Sequence, residues 1–225
     1  MDARPRGAET ECGSVVLYAH GVTRPTLADD PGQPRTGTRA EAMRAALLAA
    51  ARDVFVGVGY IDASVTKIVD RAGASVGSLY HHFGGKPDIF IALYEQHEAR
   101  CSQAAAVEVA RARASGVSDP VTLFVRGARG YLQQCRLDAD LTALFLGGDG
   151  PPGFNAMRRR VAAEWVRQNG RLIRAEERRN GEALVVVLTT VAGSAGRQVA
   201  AAGSEQHAGE LIDDFCELIG RVAAE

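Results

Sequence analysis

Aromatic residues are scarce in this sequence, and its cysteines are few and scattered. Phe, Trp and Tyr make up 6% of the 225 residues, and Trp165 is the single tryptophan. The four cysteines, at positions 12, 101, 135 and 216, lie too far apart in sequence to suggest a zinc knuckle or a redox dithiol. We therefore expect reduced thiols that act as small apolar filler, with no bound metal and no cofactor.

The sequence also lacks a targeting segment and an excess of charge. Its first residues have no apolar core of the length found in signal peptides, and no stretch approaches the apolar length that crosses a bilayer. These absences predict a cytoplasmic protein with no membrane partner. The formal net charge is −1, so composition alone gives no support for a nucleic-acid partner and opposes a broadly basic architectural protein.

Residues 1–37 differ from the rest of the chain because they are rich in Pro, Gly, Arg and Asp. We interpret them as a disordered extension. The alternative is an arm that reaches into a DNA groove, as basic N-terminal arms do. Acidic residues outnumber arginines in this segment, which favours the first interpretation.

From Thr38 onward, apolar residues recur at helical spacing and no convincing two-residue period appears, which predicts an all-α protein. We place a first helix between Thr38 and the stop signal at Gly57 and Gly59. The later helices are expected at about 64–72, 75–83, 87–97, 120–135, 140–146, 154–176, 182–202 and 205–223. The glycine-rich segment 147–153 lacks the Lys-Ser/Thr ending of a phosphate loop, so we interpret it as a flexible connection beside a pocket.

The segment from Ser64 to Lys86 has the layout of a helix-turn-helix. Ser64 and Ser75 are suited to cap the two helices, and Gly73 tolerates the positive φ of a sharp turn. The second of these helices begins with small residues, Gly77 and Ser78, as entry into a DNA major groove requires. The adjacent histidines 81 and 82 point in different directions on a helix and have no carboxylate or thiol at ligand spacing, so we do not expect a metal site.

This segment closely resembles the DNA-binding domain of the TetR family of repressors. The resemblance covers residues 39–95 almost without gaps and is carried by runs such as Gly57-Val58-Gly59-Tyr60, Ala72-Gly73-Ala74-Ser75-Val76-Gly77-Ser78-Leu79-Tyr80-His81-His82-Phe83 and Lys86-Pro87-Asp88-Ile89-Phe90. The departures are modest: Ala74 replaces the usual Val, Val69 the usual Ala, and Pro87 a common Glu. None of them removes a group expected to face DNA.

The resemblance implies a three-helix DNA-binding domain at 38–96 and a helical domain at 97–225 that binds an effector and dimerises. The residues implied or expected to contact DNA are Ser64, Val65, Thr66, Ser75, Val76, Gly77, Ser78, Tyr80, His81, His82 and Lys86. Members of the family are typically homodimers, so two recognition helices would lie about one DNA turn (~34 Å) apart on a near-palindrome.

The C-terminal half supplies candidates for two further surfaces. The last two helices are too apolar to be left in water, and the expected dimer residues are Leu184, Val187, Leu188, Val191, Ala195, Leu211, Phe215 and Ile219. Phe124, Tyr131, Phe145 and Trp165 are candidates for an effector pocket, with ordinary core packing as the alternative. The mainly aliphatic surroundings favour a hydrophobic effector.

The sequence thus predicts a repressor that a small ligand releases from DNA. A ligand-dependent activator or a co-repressed regulator would use the same two domains. In these alternatives the effect of the ligand, or of DNA binding on transcription, would be the reverse. An enzyme is a separate hypothesis, and no nucleophile with a visible partner base supports it.

Overall fold

A computed structural model describes residues 34–224 of the chain. Among these residues there is no strand, which confirms the all-α prediction. The helices are α1 (Pro34–Asp62), α2 (Val65–Ala72), α3 (Val76–Phe83), α4 (Lys86–Ala114), α5 (Pro120–Leu137), α6 (Ala139–Leu146), α7 (Phe154–Leu172), α8 (Gly181–Ala200) and α9 (Glu205–Ala224), with one 3-10 turn at Ala175–Glu177.

Local capping explains the helix-turn-helix. The Ser64 and Ser75 hydroxyls accept hydrogen bonds from the amides of the third residue of each helix, Lys67 at 3.2 Å and Ser78 at 3.1 Å. Gly73 ends α2 in the left-handed region at φ 63°, which a residue without a Cβ adopts at little cost. These caps confirm the boundaries expected from the sequence.

The first helix is longer at both ends than expected. It begins at Pro34, since proline is favoured in the first turn of a helix, so Thr38 is not its cap. Residues 1–33, most of the expected extension, lie outside the described part of the chain. The helix passes Gly57, and its only non-helical residue is Gly59, with φ 75° and ψ 173°.

Helix α4 also exceeds its predicted length, because we expected it to end near residue 97. It continues for 29 residues to Ala114, and Gly116 follows in the left-handed region. No glycine or proline interrupts the sequence between Pro87 and Gly116, so nothing local ends the helix earlier. The expected domain boundary at residues 96 and 97 therefore falls inside one continuous helix.

The N-terminal helices share a core with α4, α6 and α7. Phe90 of α4 lies at its centre, with ring centroids 5.1 Å from Phe55, 5.3 Å from Phe145 and 5.1 Å from Phe154. Phe145 is 1% exposed and belongs to this core, so its assignment to the effector pocket is wrong. Helix α6 packs against α1 and α4, and this packing places Phe145 in the space that the three helices enclose.

The C-terminal helices α5, α8 and α9 enclose two further hydrophobic clusters. By length and composition α8 could cross a membrane, which corrects the expectation that no stretch could. Its Val185, Leu188 and Val199 are buried in these clusters. Core packing therefore accounts for one side of α8, while Val186, Val187 and Val191 remain exposed.

Candidate DNA-binding surface and ligand cavity

Helix α3 presents one exposed face. Val76, Gly77, Tyr80 and His81 are all exposed, and their spacing of four residues places them on the same side of the helix. Leu79 is completely buried and anchors the opposite side. Tyr80 is 55% exposed, so its ring and hydroxyl are accessible on this face.

The other expected DNA residues flank this face. Thr66 is exposed on the first turn of α2, whereas Ser64, Val65, Ser78 and His82 are half-buried. Val65 packs against the core, and the oxygens of Ser64 and Ser75 are already used as caps. Their hydroxyl hydrogens remain available to a phosphate, since a hydroxyl donates as well as accepts.

Lys86 has a different role from the phosphate contact that we expected. Its ammonium group donates to the carbonyl oxygens of Tyr60 at 2.8 Å, Ile61 at 3.2 Å and Ala63 at 2.8 Å, and it lies 4.4 Å from the Tyr60 ring centroid. An ammonium has three donor hydrogens, so this set accounts for all of them. Lys86 therefore joins the start of α4 to the end of α1 and to Ala63 after it.

Arg44 is a candidate that the sequence analysis missed. Its guanidinium carbon lies 4.9 Å from the ring centroid of Phe83, the last residue of α3. The side chain is exposed and forms no ion pair with any described residue. In sequence it is 36 residues from Tyr80, and only the tertiary contact between α1 and Phe83 brings an arginine to the end of α3.

Charged groups connect the DNA-binding helices to the C-terminal half. Arg52 of α1 donates two hydrogen bonds to Asp140 of α6, at 2.9 and 2.7 Å. Arg100 of α4 donates to Asp138 at 2.7 Å, and the Nδ1 atom of His97 lies 3.5 Å from the same carboxylate. Burial raises the pKa of Asp138, but the hydrogen bonds from Arg100 and Gln134 outweigh burial and the net pKa is lowered. Burial also lowers the pKa of His97, which favours the neutral imidazole.

A cavity of about 1520 Å³ lies between α4, α5, α7 and α8. Phe124, Tyr131 and Trp165 line it, as we expected for an effector pocket, and the Tyr131 and Trp165 rings are 5.9 Å apart. The indole nitrogen of Trp165 donates to Glu98 of α4 at 3.3 Å. Helix α4 therefore forms a wall of the cavity at one end and packs against α3 at the other.

The expected dimer residues divide into two groups. Leu188, Ala195 and Ile219 are each 1% exposed within their own chain, so their assignment to an interface is wrong. They lie on the inner faces of α8 and α9, where they fill clusters shared with α5. On the outer faces Val187 and Val191 are exposed, Leu184, Leu211 and Phe215 are half-buried, and Leu218 and Val222 extend the same stripe.

Comparison with known proteins shows a match to the family described as "Bacterial regulatory proteins, tetR family" over residues 47–93. The HTH-type transcriptional activator FasR of Mycolicibacterium smegmatis is 41% identical over 68 residues, which are 29% of this chain and 31% of that protein. The HTH-type transcriptional repressor AcnR of Corynebacterium efficiens is 35% identical over 68 residues, or 30% and 36% of the two chains. The match thus spans about a third of the length of these relatives.

Solved structures match over much more of the chain. A TetR-like transcriptional regulator from Rhodococcus sp. RHA1 covers 81% of this chain and 93% of its own, with a TM-score of 0.63 and 19% identity. The fatty acid degradation regulator FadR of Bacillus halodurans covers 86% and 97%, with a TM-score of 0.65 and 15% identity. At these identities the likeness concerns the fold, which is shared by the N-terminal and C-terminal helices.

Proposed function

Because this chain belongs to the TetR family of bacterial regulatory proteins, we propose that it is a dimeric transcriptional repressor that a small ligand releases from a near-palindromic operator. The observation that carries the proposal is the continuity of α4. This helix begins three residues after the end of α3, at Lys86, and reaches the cavity wall at Tyr94 and Glu98. We place the protein in the cytoplasm, where its DNA and ligand would be.

DNA is read by the exposed face of α3. Tyr80 and His81 offer a hydroxyl and an imidazole. The small residues Val76 and Gly77 keep the first turn of α3 narrow enough to enter the major groove. None of these side chains is a long bidentate donor, so DNA shape contributes to specificity. Around this face Ser64, Thr66, Ser75, Ser78 and His82, together with Arg44, supply donors to the phosphates.

The continuous helix α4, which runs from the end of α3 to the cavity, supports ligand control. A ligand that prefers one position of α4 shifts the protein toward that position, since only a difference in affinity between two states can move an equilibrium. Lys86 and Phe90 carry the movement of α4 to the α1–α2 connection and to the N-terminal core. The distance between the two recognition helices of a dimer then changes. Such couplings are typically about 1–3 kcal/mol.

The test is binding of the full-length protein to DNA that flanks its own gene, measured by fluorescence anisotropy with a scrambled competitor and a salt titration. Tyr80→Ala and His81→Ala should each weaken specific binding by about 1 kcal/mol, the contribution of one hydrogen bond. Gln206→Ala, on the exposed side of α9, is the matched control and should bind like the parent protein. Specific binding that survives the combined Tyr80 and His81 variant would place the reading surface elsewhere.

Activation is the second candidate function. It is favoured by the 41% identity over the matched region to a protein named as a transcriptional activator. A reporter gene placed behind the bound DNA separates the two candidates, because deletion of this protein should raise expression under repression and lower it under activation.

A further inference from the structure

The walls of the cavity are apolar and aromatic toward its interior. Phe124, Ala128, Tyr131 and Trp165 contribute rings and methyl groups from α5 and α7. The volume of about 1520 Å³ exceeds the ordinary range of small-molecule pockets, roughly 300–1,000 Å³. Within α7 only Phe154 is fully buried, and most of the other residues of this helix line the cavity. The cavity therefore has room for an elongated apolar body.

Positive charge surrounds this apolar space. Five arginines and two glutamates line the cavity: Arg113, Arg158, Arg159, Arg171 and Arg197, against Glu98 and Glu164. Glu164 is in an ion pair with Arg167, a residue that does not line the cavity. None of the five arginines forms an ion pair with a carboxylate in the part of the chain that the structure describes. A ligand entering the cavity thus meets unpaired guanidinium groups.

Glu98 does not reverse this charge balance. Its carboxylate accepts a hydrogen bond from the Trp165 indole at 3.3 Å, and burial raises its pKa, which favours the neutral carboxyl. Because this carboxyl already has the indole as a partner, and the cavity lining holds five arginines against two glutamates, the lining remains positively charged on balance.

Arg158 is the best placed of the five arginines. It is half-buried, whereas the other four are exposed, and its guanidinium carbon lies 5.9 Å from the Phe154 ring centroid. It also interacts electrostatically with Glu98 and Tyr94 on α4. A charged hydrogen bond is stronger where water is partly excluded, so Arg158 is the position at which an anion gains most.

We propose that the cavity binds an amphipathic anion, with its apolar body against Phe124, Tyr131 and Trp165 and its carboxylate- or phosphate-type head at Arg158. The proposal rests on the proposed function for the role of this ligand as an effector. It assigns the charge class of the ligand, which that function leaves open.

Trp165 makes the proposal directly measurable, because it is the single tryptophan of the chain and it lines the cavity. We would titrate the full-length protein with decanoate, decanol and decyltrimethylammonium, each below its micelle or solubility limit, and follow tryptophan fluorescence. The three probes share an apolar chain and differ in head-group charge. Decanoate should bind about tenfold more tightly than decanol, as one charged hydrogen bond predicts, and the cation should bind most weakly.

Arg158→Gln should remove the preference for decanoate while leaving the affinity for decanol unchanged. Arg160→Gln is the matched control, since Arg160 is exposed on the same helix and does not line the cavity. Equal binding of the three probes, tighter binding of the cation, no saturable signal from any probe, or a decanoate preference that survives Arg158→Gln overturns the proposal.

DNA affinity measured on the same samples separates this proposal from the proposed function. If decanoate binds with the expected preference but leaves DNA binding unchanged, the anion site is supported. The same result counts against ligand control through this cavity. Loss of DNA binding on addition of decanol and decanoate alike supports ligand control and counts against the anion site.

Discussion

The carboxylate of Asp149 accepts a hydrogen bond from the backbone amide of Tyr60 at 2.8 Å and a longer one from Ile61 at 3.3 Å. Asp149 belongs to the α6–α7 connection, which we expected to be a flexible loop beside the pocket. Gly59 makes the contact possible, because its positive φ turns the two amides toward the carboxylate. Lys86 binds carbonyls of the same residues and of Ala63, so the end of α1 is held by both α4 and the segment that leads into α7.

Replacing Asp149 with alanine should lower the free energy of unfolding by about 1–2 kcal/mol, because two amides lose a charged acceptor. Urea unfolding followed by circular dichroism measures the change. Asp70→Ala is the control, since Asp70 is exposed on α2 and its side chain has no partner among the described residues. Equal effects of the two substitutions would mean that the Asp149 contact contributes nothing.

The burial of His97 predicts a pH dependence of stability. Its pKa in the folded protein is lowered by burial, while Asp138, Arg100 and Cys101 face its ring. In the unfolded chain the pKa returns to about 6.5, so below that pH the unfolded state takes up a proton that the folded state resists. Stability should therefore be full above pH 6.5 and decline as the pH falls through the folded pKa.

Urea unfolding at pH 7.5 and 5.5 checks this prediction, with His97→Gln as the matched variant. Glutamine keeps a donor near Asp138 but does not titrate, so the variant should lose less stability between the two pH values. The lowered pKa values of Asp138 and Asp140 act only near pH 3.8 and below, outside this window. The raised pKa of Glu98 acts in the opposite direction and is common to the parent protein and the variant. A parent protein and a variant with the same pH dependence would exclude His97 as its source.

Gly130 permits the close crossing of α4 and α5. A Cβ atom added there would lie 2.5 Å from the carbonyl oxygen of Ala104 and 2.9 Å from the Glu108 side chain. Gly130→Ala should therefore destabilise the protein by about 1–3 kcal/mol, as overpacking does. Gly209→Ala, in open space on α9, should instead stabilise it by up to about 1 kcal/mol through helix propensity. Thermal unfolding of the two variants measures the expected loss of stability in the first and the expected gain in the second.

For the proposed dimer, the outer stripe of α8 and α9 predicts the interface. Leu218 is 52% exposed beside Phe215 and Val222, so Leu218→Glu should convert the dimer to monomers and weaken DNA binding. Leu137→Glu is the matched control, because Leu137 is 76% exposed at the end of α5 and lies outside the stripe. Sedimentation velocity at micromolar concentration checks the assembly state. A Leu218→Glu protein that remains dimeric would place the interface elsewhere.

The local features of this protein follow from its sequence alone. Ser64, Gly73 and Ser75 fix the helix-turn-helix because a cap hydroxyl and a residue free to adopt positive φ act within one turn of the chain. The exposed face of α3 is equally local, since helical spacing places Val76, Gly77, Tyr80 and His81 together once Leu79 is buried. These short-range rules explain why the order of the helices and the bounds of α2 and α3 were predictable.

Only the tertiary structure decided which face of each later element is inside. Phe145 and Trp165 are both aromatic residues on amphipathic helices, yet one fills the core around Phe90 and the other lines the cavity. Lys86 was expected to contact a DNA phosphate, but its ammonium group donates to three backbone carbonyls, because the end of α1 lies beside it in the fold. Asp149 and Tyr60 are 89 residues apart, and no local pattern encodes their contact. Periodicity places residues on a face of a helix, but the partner of that face is determined by how the helices pack together.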